Sequence, residues 1–131
     1  MLRKFLKKKF KMKITIGVPI FNQKTEHFRE CLDSIKNQTC NQQIFECIIL
    51  DDGSDNKEEV EEMAKEFGFK YIYQKNAGVG AARQAIVDNA SKETEYICFL
   101  SSDDIWEPEF LETMIKTIKE HPEKILYSNY Y

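Results

Sequence analysis

Two adjacent carboxylates, Asp103 and Asp104, stand directly behind an apolar run in LSSDDIWEP, residues 100–108. Like charges side by side repel, so the pair makes chemical sense where a cation can sit between it and an anionic ligand. Mg²⁺ or Mn²⁺ is held by few protein carboxylates and completes its shell with phosphate oxygens and water. As a Lewis acid it would stabilise charge building on a departing diphosphate. The structural alternative is that Asp104 or Ser102 caps a helix opened by Pro108.

Two further clusters carry compatible chemistry. IILDDGSD, residues 48–55, ends an apolar run with Asp51, Asp52 and Gly53. The glycine permits a sharp turn, and either carboxylate can accept hydrogen bonds from a nucleobase imide or a ribose hydroxyl. A turn with an Asp cap explains the same residues. NAGVGAARQA, residues 76–85, is glycine-rich and runs into a helix carrying Arg83. Small residues let backbone N–H groups approach an anion, and Arg83 can pair with a phosphate or a base carbonyl. Its G-x-G-x-x-R lacks the third glycine of a dinucleotide fingerprint and follows a third strand instead of a first, which argues against an NAD site. A glycine turn ahead of an Ala-rich helix with a surface Arg remains the structural alternative.

These clusters need a scaffold, and the apolar pattern supplies one. Residues 13–19, 44–50, 69–74, 95–100 and 124–130 are strand-like in length and in β-branched or aromatic content. Phe28, Cys31, Leu32 and Ile35 follow helical spacing; so do Val60, Met63, Ala64 and Phe67, and again Leu111, Met114, Ile115 and Ile118. The spacing predicts a fourth, Ala-rich helix over 79–90, and Asp55 with Glu58 is a candidate cap for the second. Strand and helix alternating four times predict an α/β fold, a Rossmann-like, mostly parallel sheet with helices on both faces. Every polar cluster, including residues 19–22, then falls in a strand-to-helix loop at the carboxyl edge of the sheet, where open α/β folds bind ligands.

Bulk properties narrow the partners. With 131 residues, 42% apolar and 31% charged, the chain has the composition of one soluble globular domain. It has no apolar run of membrane-spanning length and no signal-peptide core, so the expected location is cytoplasmic. Its four cysteines lack metal-ligand spacing and are expected to be reduced and mostly buried. The net charge of −3 conceals an asymmetry: residues 1–13 carry seven basic side chains and no acid, leaving 12 basic against 22 acidic residues, −10, for 14–131. So acidic a body is a poor nucleic-acid binder unless the leader does the binding, and no nucleic-acid partner is expected. Residues 1–12 form a basic leader, either a disordered tail or a helix on the inner face of an anionic membrane, with Leu2, Phe5, Leu6 and Phe10 at helical spacing.

VPIFNQ, ILDDGSD, NAGVGAAR and LSSDDIWEP, in this order and at these separations, resemble the nucleotide-sugar-binding half of glycosyltransferase family 2, whose fold is called GT-A. The resemblance covers 13–131 as a truncated GT-A domain. It implies an inverting, hexosyltransferase-type enzyme that moves a sugar from a nucleoside diphosphate, commonly UDP, to a glycan or lipid-linked acceptor in polysaccharide, glycolipid or glycoprotein biosynthesis. Mn²⁺ or Mg²⁺ would bind at a DXD-like acid motif. By position, Pro19, Phe21 and Asn22 match the loop beside the base, and Asp52, with Asp51 next to it, matches the acid that contacts the nucleobase. Asn76, Gly78 and Arg83 match the donor site. Asp103 and Asp104 match the acid pair, one contacting ribose and the other the metal, without deciding which does which.

The match departs from the family where Ser101 and Gln84 replace an acid and an Asn common in relatives. The resemblance also implies an acceptor half and a catalytic base beyond Tyr131, so that residues 13–131 supply donor and metal binding alone and are inactive in transfer. Two other classes compete. A receiver-type signalling module wants an acid pair after the first strand and a phosphorylated Asp after the third, where Pro19 and Gln74 stand. A metal-dependent phosphohydrolase using Asp103 as nucleophile wants a second basic anchor and more acids at that edge.

Overall fold

A computed structural model describes residues 12–126 of the chain. Four parallel strands, β1 (Ile14–Ile20), β2 (Phe45–Asp51), β3 (Lys70–Tyr73) and β4 (Tyr96–Phe99), form one sheet in the order β3-β2-β1-β4. Helices α1 (Thr25–Lys36), α2 (Lys57–Phe67), α3 (Val79–Asn89) and α4 (Phe110–Glu120) connect and follow them. The α/β architecture with helices on both faces is therefore as the alternation predicts. No described helix is long and apolar enough to cross a membrane. The basic leader, residues 1–11, lies outside the described residues. So does the end of the expected fifth strand, of which residues 124–126 take no strand conformation.

The period-two pattern of β1 explains the layering. Ile14, Ile16, Val18 and Ile20 face one side and pack, with Cys47 and Ile49, against Phe28, Leu32 and Ile35 of α1, Val60, Met63 and Phe67 of α2, and Leu111 of α4. Each such side chain contributes about 1.5–3 kcal/mol on full burial. On the opposite face Ile48 and Leu50 meet Ala82 and Ile86 of α3. Gly17 is what lets α3 approach, since a methyl there would come within 2.8 Å of Ile86. The chain steps outward from β1 to β3 with helices on one face, then reverses to β4. A right-handed crossover must carry α3 over the other face. That reversal lies between β1 and β4, the switch point where ligands bind in such sheets.

Helix starts differ from the sequence expectation. At α2 the cap residue is Asn56 with no side-chain capping bond, and the Asp55 N–H, which Glu58 would take in the expected cap, is held by Asn22 Oδ1 at 2.8 Å. The last helix, α4, starts at Phe110, two residues beyond the expected Pro108, and its cap residue Glu109 again makes no capping bond from its own side chain.

All four cysteines are free, as expected, with Cys31 and Cys47 buried. Burial, reinforced by Asp104 and Asp103, pushes the Cys31 thiol up to about 12. Burial alone does the same for Cys98, and burial raises Cys47 well above the usual thiol range. Folding thus favours the protonated thiols, and their contribution is fully present below the unfolded value of 9.0 and lost as pH rises towards 12. We expect the urea midpoint to fall between pH 8 and pH 11, with a slope of up to about 1.4 kcal/mol per pH unit for each thiol. A midpoint that holds constant across that range would refute it.

Candidate functional site

The four loops leaving the carboxyl ends of the strands are hydrogen-bonded to one another in the order of the strands themselves. Asp52, behind β2, binds the loop behind β3: Oδ1 accepts from Gln74 Nε2 at 2.8 Å and from the Ala77 N–H at 2.9 Å. Its Oδ2 accepts from the Gly78 N–H at 2.9 Å and from Asn76 Nδ2 at 3.4 Å. Gly53, at φ 93, allows this turn; a methyl there would lie 2.8 Å from the backbone nitrogen of Asn76. Asn22, behind β1, joins the β2 loop by donating its N–H to Ser54 Oγ and accepting from the Asp55 N–H. It does so at φ 50, a left-handed conformation that Asn tolerates better than most residues. Ser102, behind β4, closes the series by donating to Gln23 Oε1 at 3.2 Å.

This stitching separates residues that the sequence had grouped. Asp51 and Asp52 are neighbours on opposite faces of the strand end. Asp51 is fully buried, its Oδ1 accepting from the Ser54 N–H and its Oδ2 from the Tyr71 hydroxyl, both at 2.8 Å. With both oxygens engaged inside the core, Asp51 shapes the turn instead of touching a ligand, which corrects the expectation that it stands beside Asp52 at the base. Burial, then the hydrogen bond and charge of Asp51, push the Tyr71 phenol above its ordinary range.

Pro19 marks where the sheet opens. β4 pairs with β1 only from Ile14 to Gly17, and the Leu100 N–H makes the last bond, to the Gly17 carbonyl at 3.0 Å. Alternation points the nitrogen of Pro19 to the β4 side, where pairing has ceased and no donor is needed. β1 and β4 stop pairing there, and beyond that point Phe21, in the loop after β1, and Ile105, in the loop after β4, are 51% and 61% exposed. Arg83, from α3, stacks its guanidinium 5.4 Å over the ring of Phe99, the last residue of β4. That contact holds a cation at the carboxyl end of β4.

Asp103 and Asp104 lie in the loop between β4 and α4, exposed and half-buried respectively. Neither carboxylate takes a hydrogen bond or an ion pair among the described residues, and neither caps α4, which starts six residues past Asp104. The capping alternative is thereby removed. No group of three or more His, Cys, Asp or Glu side chains able to hold a metal occurs among the described residues. Asp103 and Asp104 are thus two carboxylates without internal partners among the described residues, and hard oxygen donors are the ligand type that Mg²⁺ and Mn²⁺ take.

Sequence reasoning missed what holds this loop. Ser34 Oγ, on α1, accepts from the Trp106 N–H, and Gln38, just past α1, bonds Glu107 and Leu111. The Thr39 N–H donates to the Pro108 carbonyl. The only sequence signal is a polar KNQT at a helix end, which looks like an ordinary exposed turn.

Residues 15–131 match the family described as Glycosyl transferase family 2. The chain is 39% identical over 124 residues to Glycosyltransferase GlyA of Streptococcus pneumoniae, a match covering 91% of this chain and 17% of that protein. It is 36% identical over 116 residues to the Putative glycosyltransferase EpsH of Bacillus subtilis, covering 86% of this chain and 32% of that one. S. aureus TarS 1–349 in complex with UDP-GlcNAc has a TM-score of 0.74 at 28% identity, covering 85% of this chain and 32% of that chain. The mannosyltransferase PcManGT of Pyrobaculum calidifontis has a TM-score of 0.72 at 19% identity over 81% of this chain and 32% of that one, a likeness of fold alone. The chain spans a third or less of the length of these relatives.

Proposed function

Because the chain belongs to glycosyltransferase family 2 and has the GT-A fold, we propose that residues 13–131 form the donor-binding part of an inverting, hexosyltransferase-type enzyme that uses a UDP-sugar. The observation that supports this reading is the joining of the four strand-to-helix loops, by hydrogen bonds in strand order, at the carboxyl edge of a sheet whose switch point lies between β1 and β4. UDP is favoured as the nucleotide because TarS, 28% identical, is described in complexes with UDP and UDP-GlcNAc.

Each residue then has a task. Phe21 offers an exposed ring for a base, and Asp52, by taking the N–H groups of Ala77 and Gly78, fixes the loop so that those of Val79 and Gly80 at the start of α3 face an anion. Arg83 pairs with the charge of the diphosphate. Asp103 and Asp104 would hold Mn²⁺ or Mg²⁺, which when bound supplies Lewis-acid stabilisation of the departing diphosphate. The acceptor, a glycan or lipid-linked hydroxyl, must lose its proton to a base within hydrogen-bond reach. Glu107 and Glu109 are poor candidates, lying next to the start of α4, and we assign no base among the described residues.

Calorimetric titration with UDP, UDP-GlcNAc, GDP and CDP, in Mn²⁺ and in chelator, tests the reading. UDP and its sugar are expected to bind, more tightly with Mn²⁺, and at about 100 times the dissociation constant to add about 2.7 kcal/mol of stability, visible as a rise in Tm. Heat and Tm unchanged by every nucleoside diphosphate in Mn²⁺ would exclude a donor site.

A further inference from the structure

We propose that Gln38 is the positioning residue for the Asp103–Asp104 pair, acting as the helix cap that α4 does not supply for itself. This rests on the donor-site reading given above. Gln38 sits two residues past the end of α1 and is 5% exposed. Its Nε2 donates to the Ser34 carbonyl at 3.0 Å and to the Glu107 carbonyl at 2.8 Å. Its Oε1 accepts from the N–H of Leu111 at 2.8 Å. Leu111 is the second residue of α4, where an N–H has no partner within its own helix, and the cap residue Glu109 gives it none.

The amide is fully used in a single orientation, with two donors facing two carbonyls and its oxygen facing an N–H. No residue but glutamine offers this arrangement at this length. A glutamate would set oxygen against two carbonyls, and a methionine would leave the Leu111 N–H unpaired inside the protein.

The consequence reaches the acid pair because the pair has no anchor of its own. With no hydrogen bond on either carboxylate among the described residues, the places of Asp103 and Asp104 are inherited from the backbone of their loop. At one end that backbone is fixed to β1 by the Leu100 N–H. At the other it is fixed to α1 by Gln38, by Ser34 through the Trp106 N–H, and by Thr39 through the Pro108 carbonyl. Thr39 also bonds both the loop and α4, through the Pro108 carbonyl and an exposed bond to Glu112, but Gln38 does so from a buried amide and takes a backbone N–H of the first turn of α4, so it sets the span between the two ends. A cation that Asp103 and Asp104 would hold would tolerate little error in that span.

Cys31 gives a readout that does not depend on ligand. Its Sγ lies 3.5 Å from the Ser101 carbonyl, beneath this loop, whereas Cys47 is buried in β2. In Gln38→Met, and more mildly in Ser34→Ala, alkylation of Cys31 is expected to accelerate about tenfold or more while Cys47 keeps its wild-type rate. The gain in UDP affinity on adding Mn²⁺ is expected to shrink by about tenfold, with UDP binding in chelator unchanged. Equal acceleration of both thiols would mean general loss of stability and would overturn the inference, as would acceleration of neither. Faster Cys31 with an intact Mn²⁺ gain would overturn the link to the acid pair. If the wild-type protein shows no Mn²⁺ gain, the donor-site reading fails and takes that link with it, while the two thiols still decide whether Gln38 sets the loop.

Discussion

Asp103→Asn combined with Asp104→Asn is expected to leave UDP affinity the same in Mn²⁺ as in chelator, a loss of at least tenfold relative to wild type in Mn²⁺, equivalent to about 1.4 kcal/mol. The substitution keeps the shape of both side chains and removes two negative charges. A hard dication binds carboxylate oxygens far better than neutral amides, and no third acid is grouped with the pair among the described residues. Affinity in chelator is expected to persist, since Phe21, Arg83 and the loop tied to Asp52 are untouched. Stability is expected to stay level or rise, because neither carboxylate has an internal partner to lose and their mutual repulsion disappears. Cys31 supplies a check within the same protein. Its thiol is raised by burial and then by Asp104 and Asp103, so removing both charges should lower it. A Mn²⁺ gain that survives the double substitution would place the cation elsewhere.

How much of this was legible in the residues depended on the range of the interactions involved. The strands and helices follow from local periodicity, and β1 is the clearest instance, with Ile14, Ile16, Val18 and Ile20 all turned into one core. The placement of the polar clusters followed from their order along the chain, because a parallel sheet sends every strand-to-helix loop to the same edge. Roles within the loops were not legible. DDGSD presents two acids that look equivalent, and only the face of the strand on which each emerges decides that one is buried against Tyr71 and the other faces the β3 loop. Asn22 is one polar residue among several until its left-handed backbone and its two bonds to the β2 loop are known.

The caps failed for a related reason. Asp55 with Glu58 and Asp104 ahead of Pro108 satisfy local rules for starting a helix, yet tertiary partners take over the work. Asn22 occupies the Asp55 N–H. Gln38, more than seventy residues away in sequence, caps Leu111. A cap supplied across the fold leaves no trace in the segment it serves, which is why the residue that anchors the acid loop was invisible and the acids themselves were not.

Asp52 allows the distinction between a ligand contact and a structural hub to be drawn by measurement. Were it only a nucleobase contact on a scaffold already formed, Asp52→Asn would lower UDP affinity and leave the urea midpoint where it is. The hydrogen bonds predict otherwise. Oδ1 faces Gln74 Nε2 and the Ala77 N–H, and Oδ2 faces the Gly78 N–H and Asn76 Nδ2. Whichever way an asparagine amide is turned, its NH₂ meets two donors, so the isosteric variant cannot be accommodated by a flip. Hydrogen bonds to a charged acceptor contribute about 1.5–3 kcal/mol each and do not add fully when they share one group. The loss expected for Asp52→Asn, and for Asp52→Ala, is accordingly about 3 kcal/mol in the absence of any nucleotide. The loop from Gln74 to Gly78 should lose amide-exchange protection in both variants, since one of its two backbone donors loses its acceptor in Asp52→Asn and both do in Asp52→Ala. An unchanged midpoint with weakened UDP binding would return Asp52 to the role of a direct ligand contact and make the stitching of the β2 and β3 loops incidental to the site.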